Sequence, residues 1–291
     1  MDQAHGLRQM MRTREGAQAS PGIQVITITS AKGGVGKSSV ALNMAIALSR
    51  MGKRTLLVDM DLGLANIDVM LGVRTQYDLS NAVRGEKDIR EIIETGLGGV
   101  RFISGGSGME ELLNMDEAQL EGILTRLFAL DDMVDIILFD TGAGITDLIM
   151  QLICASNTTW LVTTPEPTAI MDAYALMKTL NREETQPEIQ LIVNQAGSET
   201  EARAALDGFI RITEKYTDVN ITELGYIMND PNMVRAIKQQ EPLLVSYPNS
   251  VAAGNIEGLG NKFLQRAAPQ SATGLAGFFA RLFGKKMGGL V

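Results

Sequence analysis

Ten consecutive residues, Ser30-Ala31-Lys32-Gly33-Gly34-Val35-Gly36-Lys37-Ser38-Ser39, have the composition of an anion cradle. Glycines at 33, 34 and 36 let successive backbone N–H groups converge on a phosphate, and the positive end of a following helix adds to the attraction. In such a loop the N–H groups of Gly33, Gly34, Val35, Gly36, Lys37, Ser38 and Ser39 line the anion. Lys37 meets the β- and γ-phosphates, and the Ser38 hydroxyl is a Mg²⁺ ligand. The strict pattern has glycine where this chain has Ala31, so the backbone there must keep a negative φ. Two acids, Asp59 and Asp61, close the apolar run Leu56-Leu57-Val58, and Asp140 closes Ile136-Ile137-Leu138-Phe139. A carboxylate at the end of such a strand can hold Mg²⁺, usually through water, because the ion keeps part of its hydration shell.

The elements that must position these residues are legible as apolar runs: Val25–Thr29, Thr55–Val58, Val100–Ser104, Ile136–Phe139, Trp160–Thr164, Ile189–Val193 and Gly225–Met228. Helix-forming segments separate them. Short, continuously apolar strands alternating with helices predict an α/β fold, a mostly parallel twisted sheet with helices on both faces. In such sheets ligands sit at the carboxyl ends of the strands, which brings both acids of 59–61 within reach of the loop. Trp160 is expected in the core, and so is Cys154, the one cysteine. The one histidine, His5, excludes a histidine-rich metal site.

The chain has 291 residues, 45% of them apolar, enough for one large α/β unit with tails. It contains no 18-residue apolar run and no signal peptide, which favours a cytoplasmic protein. A net charge of −8 argues against broad nucleic-acid binding. The charge is uneven. From Gly258 to the C-terminus there are Lys262, Arg266, Arg281, Lys285 and Lys286 and no acid. Composition sets the boundaries: a segment 1–13, a linker 14–22, the body 23–266, a second linker 267–274 and a terminal helix 275–288.

The second lysine of the loop, Lys32, makes the motif K-G-G-x-G-K-[ST], and the chain resembles the deviant Walker A ATPases of the MinD/ParA family. Asp59-Met60-Asp61-Leu62-Gly63-Leu64-Ala65-Asn66 and Asp140-Thr141-Gly142-Ala143-Gly144 look like that family's two switches. The resemblance implies a P-loop fold, a slow Mg²⁺-dependent ATP hydrolase and a homodimer with ATP sandwiched at the interface. Lys32 would then reach the partner's phosphates, Asp61 would orient water, Asp59 would support the metal shell, and Gly142 would read the γ-phosphate. Asn194 is similar to the family's adenine-reading residue, although a turn asparagine fits the sequence as well. A single cysteine excludes the cluster-carrying members.

Among the remaining branches, Asp2-Gln3-Ala4-His5-Gly6-Leu7-Arg8 matches the D-Q-A-x-x-L-R pattern of the flagellar-number regulators, the FlhG (FleN, YlxH) subgroup. The implied partner is FlhF, a GTPase of the signal-recognition-particle type, stimulated by this segment. Flagellar switch components or a flagellar transcription regulator are further partners in that reading. A MinD-type division-site positioner is the alternative, with a DNA-partition ATPase behind it. Physically the segment is a marginal helix: Asp2 caps it, Ala4, Leu7 and Met11 share a face, and Gly6 costs about 1 kcal/mol.

At the other end, Leu275, Phe278, Phe279, Leu282 and Phe283 recur at helical spacing as one apolar stripe flanked by Arg281, Lys285 and Lys286. That pattern suits a helix lying reversibly in an anionic membrane surface, here the inner face of the cell membrane. The alternative is a helix packed on the protein's own body, and both hold if the helix docks in one nucleotide state and leaves in the other.

Overall fold

The computed structural model describes residues 22–61, 66–114, 130, 132–266 and 274–287. Eight strands form one sheet in the order β3-β4-β2-β5-β1-β6-β7-β8. They are β1 (Gln24–Ser30), β2 (Thr55–Met60), β3 (Glu94–Thr95), β4 (Arg101–Ile103), β5 (Ile136–Ala143), β6 (Thr158–Thr163), β7 (Glu188–Ala196) and β8 (Ile221–Met228). Every neighbouring pair is parallel except β3–β4. The seven strands expected from the apolar runs are present. The two-residue β3 was not expected, because a strand that short has no periodicity to read.

Both faces of the sheet are covered, which is why its strands are apolar at successive positions rather than at alternate ones. Val25, Leu56, Val58, Ile137 and Phe139 face one layer, while Ile26, Ile28, Leu57, Leu138 and Trp160 face the other. The second layer is built on α1 (Lys37–Arg50) together with α10 (Val251–Arg266). Between these two in sequence come α2 (Asn66–Leu71), α3 (Leu79–Val83), α4 (Gly108–Asn114), α5 (Asp147–Ala155), α6 (Pro167–Leu180), α7 (Glu199–Tyr216), α8 (Pro231–Gln239) and α9 (Leu243–Ser246). Trp160 lies in the core as expected, its indole N–H on Gln190 Oε1 at 3.0 Å and its ring edge-on to Phe263. Cys154 departs from expectation: it is half-buried on α5.

The terminal helix α11 (Gly274–Met287) is part of the first layer. Leu275, Phe278, Phe279, Leu282 and Phe283 are all buried against the sheet face and α5. Phe278 meets Phe139 of β5 at 5.2 Å between ring centroids, and Phe279 stacks on Phe283 at 6.0 Å. Arg281 Nε donates to the Ala155 carbonyl at 2.8 Å, occupying one of the acceptors that the C-terminus of α5 leaves open. In this arrangement the stripe is core, the body extends beyond residue 266, and the helix starts at Gly274 rather than 275. The segments 1–13 and 14–21, the switch residues 62–65 and the linker 267–273 lie outside the described residues, as do Asp2, Gln3, Ala4, Leu7 and Arg8.

Candidate nucleotide site

The loop 31–36 joins the end of β1 to the start of α1, at the centre of the sheet's carboxyl edge. Gly34 and Gly36 take φ of 81° and 83°, left-handed values that cost an L-residue free energy. Ala31 is not among the positive-φ residues, so the departure from glycine there is accommodated as expected. Lys37 opens α1 and its ammonium reaches Asp140 Oδ1 at 2.5 Å, with the Ser38 hydroxyl 3.3 Å from the same Nζ. Register explains the convergence: Asp140 stands beside Ile28 of β1 on one side and Asp59 of β2 on the other.

Asp140 is fully buried, and its Oδ2 has no hydrogen-bond partner among the described residues. Burial pushes its carboxyl above the usual range, while the Lys37 ammonium pulls the other way. A buried, unpartnered oxygen on the carboxylate that already meets Lys37 is the kind of donor that a hard, oxygen-seeking divalent cation takes. These residues therefore fit Mg²⁺, with Ser38 and Asp140 as the groups that would hold it. Asp59 is occupied differently. Its Oδ1 accepts the Asp61 N–H at 3.0 Å and its Oδ2 accepts the Ile67 N–H at 3.1 Å. It staples the two ends of the segment between β2 and α2, so any metal role is shared with that structural one. The backbone of Gly105 presses against the same turn: a Cβ there would lie within 1.7 Å of the Asp59 carbonyl oxygen. Nothing in the sequence marked that close approach.

Gly142 lies near Asp61, and an added Cβ would stand 3.6 Å from Asp61 Oδ1. The backbone N–H of Gly144 donates to the Ser30 carbonyl at 2.9 Å, tying the end of β5 to the start of the phosphate loop. Lys32 leaves the cradle. Its ammonium rests on Glu166 Oε1 at 2.9 Å and Thr168 Oγ1 at 2.6 Å, at the N-cap and in the first turn of α6. Thr168 and Lys32 together hold the Glu166 carboxyl below its usual range. In the sequence the segment Thr163-Thr164-Pro165-Glu166-Pro167-Thr168 resembles the flagellar-number regulators, but that resemblance gave neither residue a role. Asn194, at the end of β7, turns its amide towards the loop and donates to the Val35 carbonyl at 2.8 Å. The predicted membrane residues Leu275, Phe278, Phe279, Leu282 and Phe283 belong to α11 and are buried against the sheet face, as described.

Residues 23–264 match the ParA family profile, described as NUBPL iron-transfer P-loop NTPase. The chain is 34% identical to the antiactivator FleN of Pseudomonas aeruginosa over 88% of this chain and 92% of the relative. It is 33% identical to the flagellum site-determining protein YlxH of Helicobacter pylori over 88% of each chain. Among solved structures, the septum site-determining protein MinD of Pyrococcus horikoshii, complexed with Mg-ADP, is 26% identical. It superposes with a TM-score of 0.65 over 83% of this chain and 96% of that one.

Proposed function

We propose, for a chain that belongs to the ParA family of P-loop NTPases and stands with its MinD-like FleN and YlxH members, a slow regulatory ATPase that sets flagellar number and placement. Mg·ATP binds at the loop 33–39. Backbone N–H groups and Lys37 hold the phosphates, Ser38 and Asp140 hold the metal with Asp59 beside them, and Asn194 faces the adenine. The metal supplies charge neutralisation at the transferring phosphoryl group. Asp61 orients the attacking water, and Gly142 contacts the γ-phosphate through its N–H. The observation that carries the dimer is the placement of Lys32. Its own cradle is completed by Lys37, whereas Lys32 stands on the exposed rim, paired to Glu166, where a second copy can take it.

On this reading ATP drives a two-fold dimer across the nucleotide faces, and Lys32 completes the partner's site. Residues 2–8 dock on FlhF, the GTPase of the signal-recognition-particle type, and stimulate it. The α11 stripe alternates between the body and an anionic membrane. No helix among the described residues is long and apolar enough to cross a membrane. Asp61→Ala should bind ATP and accumulate as a dimer on a sizing column; a variant that stays monomeric with ATP and hydrolyses normally sinks the dimer. The likeness to MinD favours a second reading, a division-site positioner. Residues 1–20 used as bait separate the two: capture of the GTPase supports the first, and capture of nothing while a division protein binds the body supports the second.

A further inference from the structure

Strand β7 loses its register with β8 between Val193 and Ala196, and the two residues in the gap are Asn194 and Gln195. Gln195 adopts φ 59°, a left-handed conformation in which a non-glycine residue is uncommon. Bulges of this kind re-aim side chains next to functional sites. Here both amides point at the same target. Asn194 Nδ2 donates to the Val35 carbonyl at 2.8 Å, and Gln195 Nε2 donates to the Gly34 carbonyl at 3.4 Å. Both also crowd Gly36, where an added Cβ would stand 2.5 Å from Asn194 Nδ2 and 3.4 Å from Gln195 Nε2.

A trans peptide is planar, with its C=O and N–H pointing in opposite directions. Holding the Gly34 carbonyl outward therefore turns the Val35 N–H inward, and holding the Val35 carbonyl outward turns the Gly36 N–H inward. We infer that the bulged pair Asn194–Gln195 is a brace for the phosphate loop, orienting two of its anion-binding N–H groups before any nucleotide arrives. The inference rests on the nucleotide-site reading above and extends it: Asn194 acts on the phosphates as well as the base, and Gln195 is a positioning residue. Only the Asn194 donor is used on the loop, so its carbonyl oxygen is left for adenine.

The test is displacement of a fluorescent ATP analogue by ATP and by inorganic tripolyphosphate, which has no base. Asn194→Ala should weaken both competitors, by about 5–10-fold, and Gln195→Asn by about 2–4-fold, in keeping with single hydrogen bonds. Gln195→Asn is the decisive variant. Asparagine tolerates the left-handed backbone but is one methylene too short for Gly34, so its melting temperature should stay at the parent value. If both variants bind tripolyphosphate as tightly as the parent, the brace is wrong even where Asn194→Ala loses ATP. A parent chain that binds neither the ATP analogue nor tripolyphosphate removes the nucleotide site itself, which is a different failure.

Discussion

Lys37 and Asp140 meet where water does not reach, with side chains 7% and 0% exposed. A buried pair is costly to assemble and costlier to break, because the survivor is left charged and unpaired. Lys37→Ala should therefore do two things. ATP binding should be lost, since on the proposed reading Lys37 is the cation that this chain's own loop turns on the β- and γ-phosphates. Stability at neutral pH should fall by about 3–5 kcal/mol. Burial already holds Asp140 above the ordinary carboxylate range, and removing Lys37 removes the opposing pull. The folded state then binds a proton that the unfolded state has released. That contribution to stability is fully present below the unfolded value, is lost as pH climbs through the raised folded value, and returns as pH drops back through it. Melting curves from pH 5 to 8 check the sign; a variant whose deficit grows on acidification contradicts it. Gly36→Ala is the companion test. A Cβ there meets the Asn194 amide at 2.5 Å on a backbone at φ 83°, so a single methyl should weaken ATP by at least about tenfold while the distant α11 layer is untouched.

At the scale of elements, α11 is where the structure favours the alternative: the sequence reading takes the stripe for a membrane face and keeps the core as second choice. Both ask only for apolar side chains at helical spacing, so pattern alone does not separate them. The structure places it on β5 and α5, with Phe279 3% exposed. Phe279→Glu should then lower stability without lipid by at least the about 3–5 kcal/mol of losing a core aromatic. In thermal scans that is about 6–15 °C. Unchanged melting would return the helix to the periphery. The parallel strands were legible because covering both faces forces unbroken apolar runs. The phosphate loop and the ends at Asp59 and Asp140 were legible because glycine, lysine and acid are chemically tied to those places. Glu166, Thr168 and Gln195 were not, since their roles come from contacts more than a hundred residues away in sequence, Glu166 to Lys32 and Gln195 to Gly34. Glutamine, unlike glycine, does not signal a left-handed turn.

Across the whole molecule, the nucleotide edge and the terminal helix share one strand. Phe139, against which Phe278 packs, immediately precedes Asp140, and three residues further on β5 gives way to Gly144, tied to Ser30. On the proposed reading, this strand is the shortest covalent route from the phosphates to the layer that α11 covers. Releasing the helix is not free: each large side chain loses about 1.5–3 kcal/mol of burial, and the sheet face beneath is wetted as well. A membrane returns only part of this, with about 1 kcal/mol for each nearby cation. One copy should stay docked, and a dimer that engages two helices at high effective concentration should tip the exchange. The measurement is flotation of the intact Asp61→Ala chain with vesicles containing anionic lipid, with and without Mg·ATP. Flotation should require nucleotide, weaken in raised salt and disappear in Asp61→Ala, Phe279→Glu. Equal flotation in both nucleotide states would mean that ATP does not govern the helix. Dimer formation on a sizing column without any flotation would leave α11 a permanent layer of the fold.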